Sequence, residues 1–269
     1  MAVGAGTPLL MRRVDPPPGV RERYKAWTWS VARSYQTVVT TWRLSSATRV
    51  RYLKVRAVEE TPRLLAEATR LRWARDHLPV PAVVDSGTEA DVDWLLVDAL
   101  PGRDATTPQL KARPEWLVPL LAGGLRRFHE APVDACPFRL TVEDALDAVR
   151  QRVADGQADQ ADLHAEFRHL SLDDAVATLE GLAPHENDLV VCHGDYCFPN
   201  VLIEDGAVTG YVDVGELAVA DPWLDLAVAS WSTTWNVGPG WEKLFLDAYG
   251  VEEDPRRMSF YRLLYDLIS

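Results

Sequence analysis

The stretch VVCHGDYCFPNVLIEDGAVTGYVDVG, Val190 to Gly215, limits the fold more than any other part of the chain. Two apolar runs, VLIE and AVTGYVDV, flank Asp205-Gly206, and an Asp-Gly pair between such runs is a strong signal for a two-residue β-hairpin turn. With that pair as the turn, Asn200 is expected opposite Tyr211, and Asp213 lies further along at the same end. The stretch also gathers a histidine, four acids and two cysteines.

Several chemistries compete for these residues. Cys192, His193 and Cys197 are soft metal ligands, but no second Cys/His pair with finger spacing accompanies them. The hydrolase signature G-x-S-x-G, the nucleotide loop G-x-x-x-x-G-K-[ST] and the zincin H-E-x-x-H are absent. Phosphoryl transfer uses more of the positions together. His193-Gly194-Asp195-x4-Asn200, followed by Asp213-Val214-Gly215, keeps the spacing of a kinase catalytic loop and its later metal-binding aspartate. An amide oxygen and a carboxylate at one end of a hairpin suit Mg²⁺, a hard ion that prefers oxygen. Asp195 is placed to orient an acceptor hydroxyl and take its proton. Aspartate and asparagine also favour loops for turn chemistry alone, and His193 could merely satisfy buried backbone groups. The ordered set with its hairpin outweighs that.

The rest of the chain divides near residue 100. TVVTTWRL (37–44) and RVRYLKV (49–55) predict an antiparallel hairpin, and PVPAVVDSG and DVDWLLVDAL two more strands. Between them TPRLLAEATRLRWARDHL reads as a helix capped by Thr61 with Pro62 in its first turn, and with Leu64, Leu65, Ala68 and Leu71 at helical spacing. The N-terminal segment through DPPPG is expected to be a flexible lead-in and PGRDATT a linker. Beyond it helices are predicted over 114–129, 142–154, 171–182, 222–235, 241–249 and from 255 to the end. The expected fold class is α+β and bilobal, with a strand-rich part at 1–99, a mainly helical part at 100–269, and a ligand cleft between them.

Composition narrows the setting. A net charge of −12, with 40 acidic and 28 basic residues, argues against a nucleic-acid binder and favours a cationic ligand. No apolar run reaches the roughly 18 residues of a membrane helix, and three cysteines without an export signal imply reduced thiols; a soluble cytoplasmic protein is expected.

In VVCHGDYCFPNVLI, GYVDVGELAVADPWLDLA, RRFHEAPVDACPF and FYRLL the chain resembles the aminoglycoside phosphotransferase family, within it the 3'/3''-phosphotransferase subgroup through Cys136-Pro137-Phe138. The resemblance implies a protein-kinase-like fold, ATP and Mg²⁺ as cofactors, and transfer of the terminal phosphoryl group to a hydroxyl of an antibiotic. It makes Asp195 the catalytic base, His193 a loop anchor, Asn200 and Asp213 the metal ligands, and Asp225 a support of the catalytic loop. Lys54 and Glu67 answer to the kinase lysine and its helix glutamate. The backbone from Asp98 to Leu100 is expected to meet adenine. No glycine occurs between Gly19 and Gly87, so a Gly-rich phosphate loop is missing and ARSYQTVV, with Ser34, is its expected replacement.

A cationic substrate would need carboxylates; Asp155, Asp162 and Glu166, in an expected helical insertion, and Asp266 are candidates, and Trp231 and Trp235, one helical turn apart, could line a wall. The leading function is thus an ATP-dependent aminoglycoside O-phosphotransferase, monomeric or weakly dimeric. Rivals are a kinase of the same fold for another hydroxyl compound and an inactive binding module; a protein kinase is disfavoured because APE and a long activation segment are missing.

Overall fold

The computed structural model describes residues 14–35, 39–58 and 64–268, the side chains of Ser34 and Tyr35 excepted. Contacts divide them into two compact units, 14–72 with 81–99, and 73–80 with 100–268.

The first unit contains α1 (Pro18–Arg23), β1 (Thr28–Tyr35), β2 (Val39–Ser45), β3 (Val50–Ala57), most of α2 (Leu64–Ala74), β4 (Val83–Glu89) and β5 (Val92–Asp98). The strands form one antiparallel sheet in the order β1-β2-β3-β5-β4. The expected hairpin is β2–β3, and β4 and β5 are the two strands expected ahead of residue 100. In β3 the buried Leu53 and Val55 alternate with Lys54 and Arg56, the period of a strand with one covered face. That face packs Leu53 and Val55 against Trp42, Leu44, Trp94 and Leu96, each large apolar side chain contributing about 1.5–3 kcal/mol. Lys54 is thereby left to the opposite face of the central strand. The helix predicted after β3 is α2, whose Leu64, Ala68, Leu71 and Ala74 are buried in helical register. Its expected cap, Thr61, and first-turn Pro62 lie outside the described residues.

One expectation fails here. DPPPG is not a loose lead-in: Pro17 caps α1 and Pro18 takes its first position, where a missing N–H costs nothing. Of ARSYQTVV, the expected replacement for a Gly-rich loop, residues 32–35 end β1 and Val39 opens β2, with Ser34 opposite Thr40, while 36–38 lie outside the described residues.

The second unit holds β6 (Arg103–Asp104), α3 (Pro108–Lys111), α4 (Pro114–His129), α5 (Val142–Ala154), α6 (Leu172–Leu182), β7 (Val190–Cys192), β8 (Val201–Glu204), β9 (Ala207–Tyr211), β10 (Ala218–Ala220), α7 (Trp223–Val237), α8 (Glu242–Tyr249) and α9 (Pro255–Ile268). α4 starts with Pro114 at its first position and buries Leu117, Leu121, Leu125 and Phe128. α5 is fixed by a capping box between Thr141 and Asp144. α7 is buried from Trp223 to Thr233, and α9 packs against it. PGRDATT is more than a linker, since β6 pairs with β8. The expected helical insertion holds only a 3-10 turn, Gln160–Asp162, between α5 and α6. No helix among the described residues is long and apolar enough to cross a membrane.

Candidate active site

The Asp205-Gly206 hairpin is present as β8–β9, with both turn residues at positive φ. Its register corrects the expected one. Glu204 and Ile203 face Ala207 and Val208, but Thr209 is an extra residue on β9, so Leu202 faces Gly210 and Val201 faces Tyr211. Asn200 therefore meets Val212, whose N–H donates to the Asn200 carbonyl at 2.9 Å, and Asp213 is the next residue. Tyr196 and Tyr211 anchor the loop and hairpin to α4 by donating to the carbonyls of Leu121 and Gly124, both at 2.8 Å.

The loop between β7 and β8 is held from below. Asp225, fully buried at the start of α7, accepts the N–H of His193 at 2.6 Å and of Gly194 at 2.8 Å. Gly194 has φ +87°, and a Cβ there would lie 2.5 Å from Glu216 Cβ, so only glycine fits. His193 Nε2 contacts the Val212 carbonyl at 3.0 Å and Nδ1 contacts the Asp195 N–H at 3.2 Å, which fixes a neutral ring with the hydrogen on Nε2. At the other end of the loop Ser232 of α7 accepts the N–H of Phe198 at 3.0 Å.

Asp195 and Asn200 are in direct contact. Asn200 Nδ2 donates to Asp195 Oδ2 and to the Asp195 carbonyl, each at 2.9 Å. Both amide hydrogens are thus spent, and oxygen is what Asn200 has left to offer a ligand. Asp195 Oδ1 is buried without a hydrogen bond of ordinary geometry, beside the Cys197 thiol. Burial, reinforced by the nearby negative charge of Asp213, pushes the Asp195 carboxyl above its usual range. Asp213 itself is exposed and sits at φ +65°, in the left-handed region. The amide oxygen of Asn200 and the exposed carboxylate of Asp213, the residue after the Val212 that pairs with Asn200, are hard oxygen donors of the kind that fits Mg²⁺. The soft trio Cys192, His193 and Cys197 does not form a site, because both His193 nitrogens are engaged and the buried Cys192 thiol turns to the carbonyls of Ala220 and Asp221.

In the first unit Lys54 Nζ bonds both carboxylate oxygens of the buried Glu67, at 2.7 and 2.9 Å. Asp98 pairs with Arg51 at 2.9 Å; its N–H donates to Ala82 and that of Ala99 to Val50, so neither is available to a nucleobase. The side chain of Ser34 lies outside the described residues.

Of the substrate candidates, Trp231, Trp235 and Asp266 gather around His164, Glu166 joins them through Arg262, which lies over Trp231, and Asp155 and Asp162 are not among these contacts. Asp155 caps α5 and accepts from Gln151, and Asp162 is exposed in its 3-10 turn. Glu166 pairs with Arg262 at 3.4 Å. Asp266 is buried, and both its oxygens are taken by the N–H and Nδ1 of His164. His164, which no sequence signal marked, stacks on Trp235 at 5.0 Å and lies 4.5 Å from Trp231. Trp235 is 43% exposed. His129 and Tyr249, also unmarked as site residues, join the Asp225 network, with His129 Nε2 3.0 Å from Asp225 and Nδ1 2.7 Å from the Tyr249 hydroxyl.

Residues 36–261 match the phosphotransferase enzyme family. The aminoglycoside 3'-phosphotransferase of Streptomyces fradiae is 37% identical over 209 residues, 75% of this chain and 78% of the relative. The crystal structure of an aminoglycoside-3'-phosphotransferase of type VIII superimposes with a TM-score of 0.83 at 33% identity, over 93% of this chain and 96% of that one. That of APH(3'')-Id from Streptomyces rimosus, in complex with ADP and streptomycin, gives 0.75 at 28% identity over the same shares.

Proposed function

We propose the reaction of this chain from one premise: it belongs to the phosphotransferase enzyme family, with a protein-kinase-like fold. It is a phosphotransferase with an alcohol acceptor, and the substrate we assign is an aminoglycoside, phosphorylated at a 3' or 3'' hydroxyl with ATP as donor. The observation that carries this is the Asp195–Asn200 pair on a loop braced by Asp225. Asp195 accepts the proton of the acceptor hydroxyl; the hydroxyl oxygen bonds to the terminal phosphorus, the bond to the bridging oxygen breaks, and ADP leaves. Asn200 and Asp213 would hold Mg²⁺, which supplies neutralisation of phosphate charge when bound. Lys54, oriented by Glu67, would pair with the nucleotide phosphates, and the backbone at Leu100 would meet adenine.

The test is a coupled ADP-release assay with Mg-ATP against streptomycin, kanamycin, neomycin, a macrolide and viomycin, followed by mapping of the modified hydroxyl. Turnover with one of the first three supports the assignment, and none with any of the three removes it. A cytoplasmic monomer or weak dimer belongs to the same proposal and is checked by sedimentation.

Two smaller effects follow from the geometry. Glu67→Gln removes the counter-charge of Lys54, so the KM for ATP should rise about tenfold with little change in the drug KM. Trp235→Ala strips the exposed ring from the His164 stack, so the drug KM should rise about 3- to 10-fold at constant kcat. Steady-state kinetics in both substrates reads each outcome, and an unaltered drug KM takes Trp235 off the substrate wall.

A further inference from the structure

We infer that His129 is a positioning residue of the transfer reaction: with Tyr249 it forms a buried relay that holds Asp225 against the backbone of His193 and Gly194, and so fixes where Asp195 stands. The inference rests on the phosphotransfer reading for its kinetic consequence, but not for its geometry.

Three helix ends meet beneath the loop. His129 closes α4, Tyr249 closes α8, and Asp225 lies in the first turn of α7. Asp225 is a carboxylate and can only accept, so the 3.0 Å contact requires the hydrogen on His129 Nε2. Nδ1 is then the acceptor for the Tyr249 hydroxyl at 2.7 Å. Burial pushes the Tyr249 hydroxyl up to about 12, so at neutral pH it keeps the proton that this bond needs. Tyr249 thereby selects the tautomer of His129, and His129 supplies the third N–H that Asp225 receives, beside those of His193 and Gly194.

Asp225 and Cys192, with His129, also form the one buried group of metal-ligating type found among the described residues. The hydrogen bonds decide against a metal there, since each donor atom already has a protein partner and the Cys192 thiol lies 3.4 Å from the Asp221 carbonyl. The relay accounts for His129 and Asp225 without an ion, and the Ala220 and Asp221 carbonyls account for the thiol.

The consequence follows from burial. A fully buried carboxylate stripped of one of three donors keeps the His193 N–H on Oδ2 and the Gly194 N–H on Oδ1 but loses part of its compensation, and it gains by shifting or taking in water. Either change loosens the amides of His193 and Gly194. Gly194 holds a backbone angle that the loop cannot trade, and Asp195 is the next residue, so looseness there moves the proposed base and leaves the binding groups of the other unit untouched.

His129→Leu, His129→Gln and Tyr249→Phe in the full-length protein test this with two measurements. Glutamine can offer Nε2–H to the same Asp225 oxygen, whereas leucine cannot. The leucine variant should lose about 10- to 30-fold in kcat, with the KM values for ATP and drug within about threefold, and the glutamine variant should recover to within about threefold of the parent. Hydrogen exchange of the 190–200 peptide should be at least about tenfold faster with leucine and near parental with glutamine, while 39–57 exchanges as in the parent. Tyr249→Phe should fall between them, and it carries the exchange measurement if the leucine variant does not fold. Unchanged loop exchange in the leucine and phenylalanine variants, a glutamine variant as impaired as leucine, or faster exchange everywhere would overturn the relay. If the parent shows no drug-dependent turnover, the phosphotransfer reading fails, and loop exchange still decides the relay.

Discussion

Asparagine in place of Asp195 should abolish phosphoryl transfer and yield a protein no less stable than the parent. The two effects share one cause. Asp195 Oδ2 accepts from Asn200, but Oδ1 is buried without an ordinary donor, and Asp213 adds a like charge. The folded carboxyl therefore binds a proton more readily than the unfolded one. A raised aspartate pKa means that the ionised group opposes folding at neutral pH, and that the penalty is relieved as pH falls through the raised value. Asparagine removes the charge and keeps an oxygen for Asn200, so Tm should hold or rise, each kcal/mol relieved showing as about 2–4 °C. The proton acceptor is lost, however, and kcat should fall about a thousandfold or more. Affinity for Mg-nucleotide should stay within about threefold. In the parent, activity should fade on acidification at a pH above the ordinary aspartate value, because the proposed base must be ionised to act. Coupled kinetics, thermal unfolding at pH 7.5 and nucleotide titration measure the three. Turnover within tenfold of the parent would remove Asp195 from its role, and a Tm several degrees lower would refute the charge penalty.

What the sequence reveals depends on how local the cause is. α4 can be read to its ends because proline at the first position and an apolar stripe are both written within its residues. β1 is harder to read because it is an edge strand: Trp29 and Val31 alternate with Thr28 and Ser30, but the alternation is short and no side chain from Thr28 to Arg33 is buried. The hairpin is visible through Asp205-Gly206, yet its register is displaced by Thr209, whose hydroxyl is drawn to the Pro101 carbonyl at 3.0 Å, more than a hundred residues away in sequence. The same holds in the candidate site. Asp195 and Asn200 are five residues apart and their spacing displays their contact. His129, Tyr249 and Asp225 come from three helices and have no spacing to display. Asp266, exposed by any count of charge along α9, is withdrawn from solvent by His164, 102 positions earlier.

Asp213→Asn should be the cleanest probe of the proposed metal site, and alanine the misleading one. Asp213 sits at φ +65°, where asparagine and aspartate are tolerated and alanine costs about 1–2 kcal/mol. Asparagine thus changes charge without adding backbone strain. If Asn200 and Asp213 hold Mg²⁺, Mg²⁺ should tighten nucleotide binding in the parent. In the asparagine variant, Mg-ADP should bind within about threefold of metal-free ADP, and kcat/KM should fall about a thousandfold. The alanine variant should show the same functional loss with a lower Tm, the difference between the two reporting the strain alone. One further sign separates this site from an indirect effect. Asp213 helps to raise the Asp195 carboxyl, so its neutralisation should move the acid limb of the residual activity to lower pH. A variant that keeps the full Mg²⁺-dependent gain in affinity would place the metal on other ligands. A variant that loses the gain but leaves the acid limb fixed would keep Asp213 as a ligand and deny its charge a hold on Asp195.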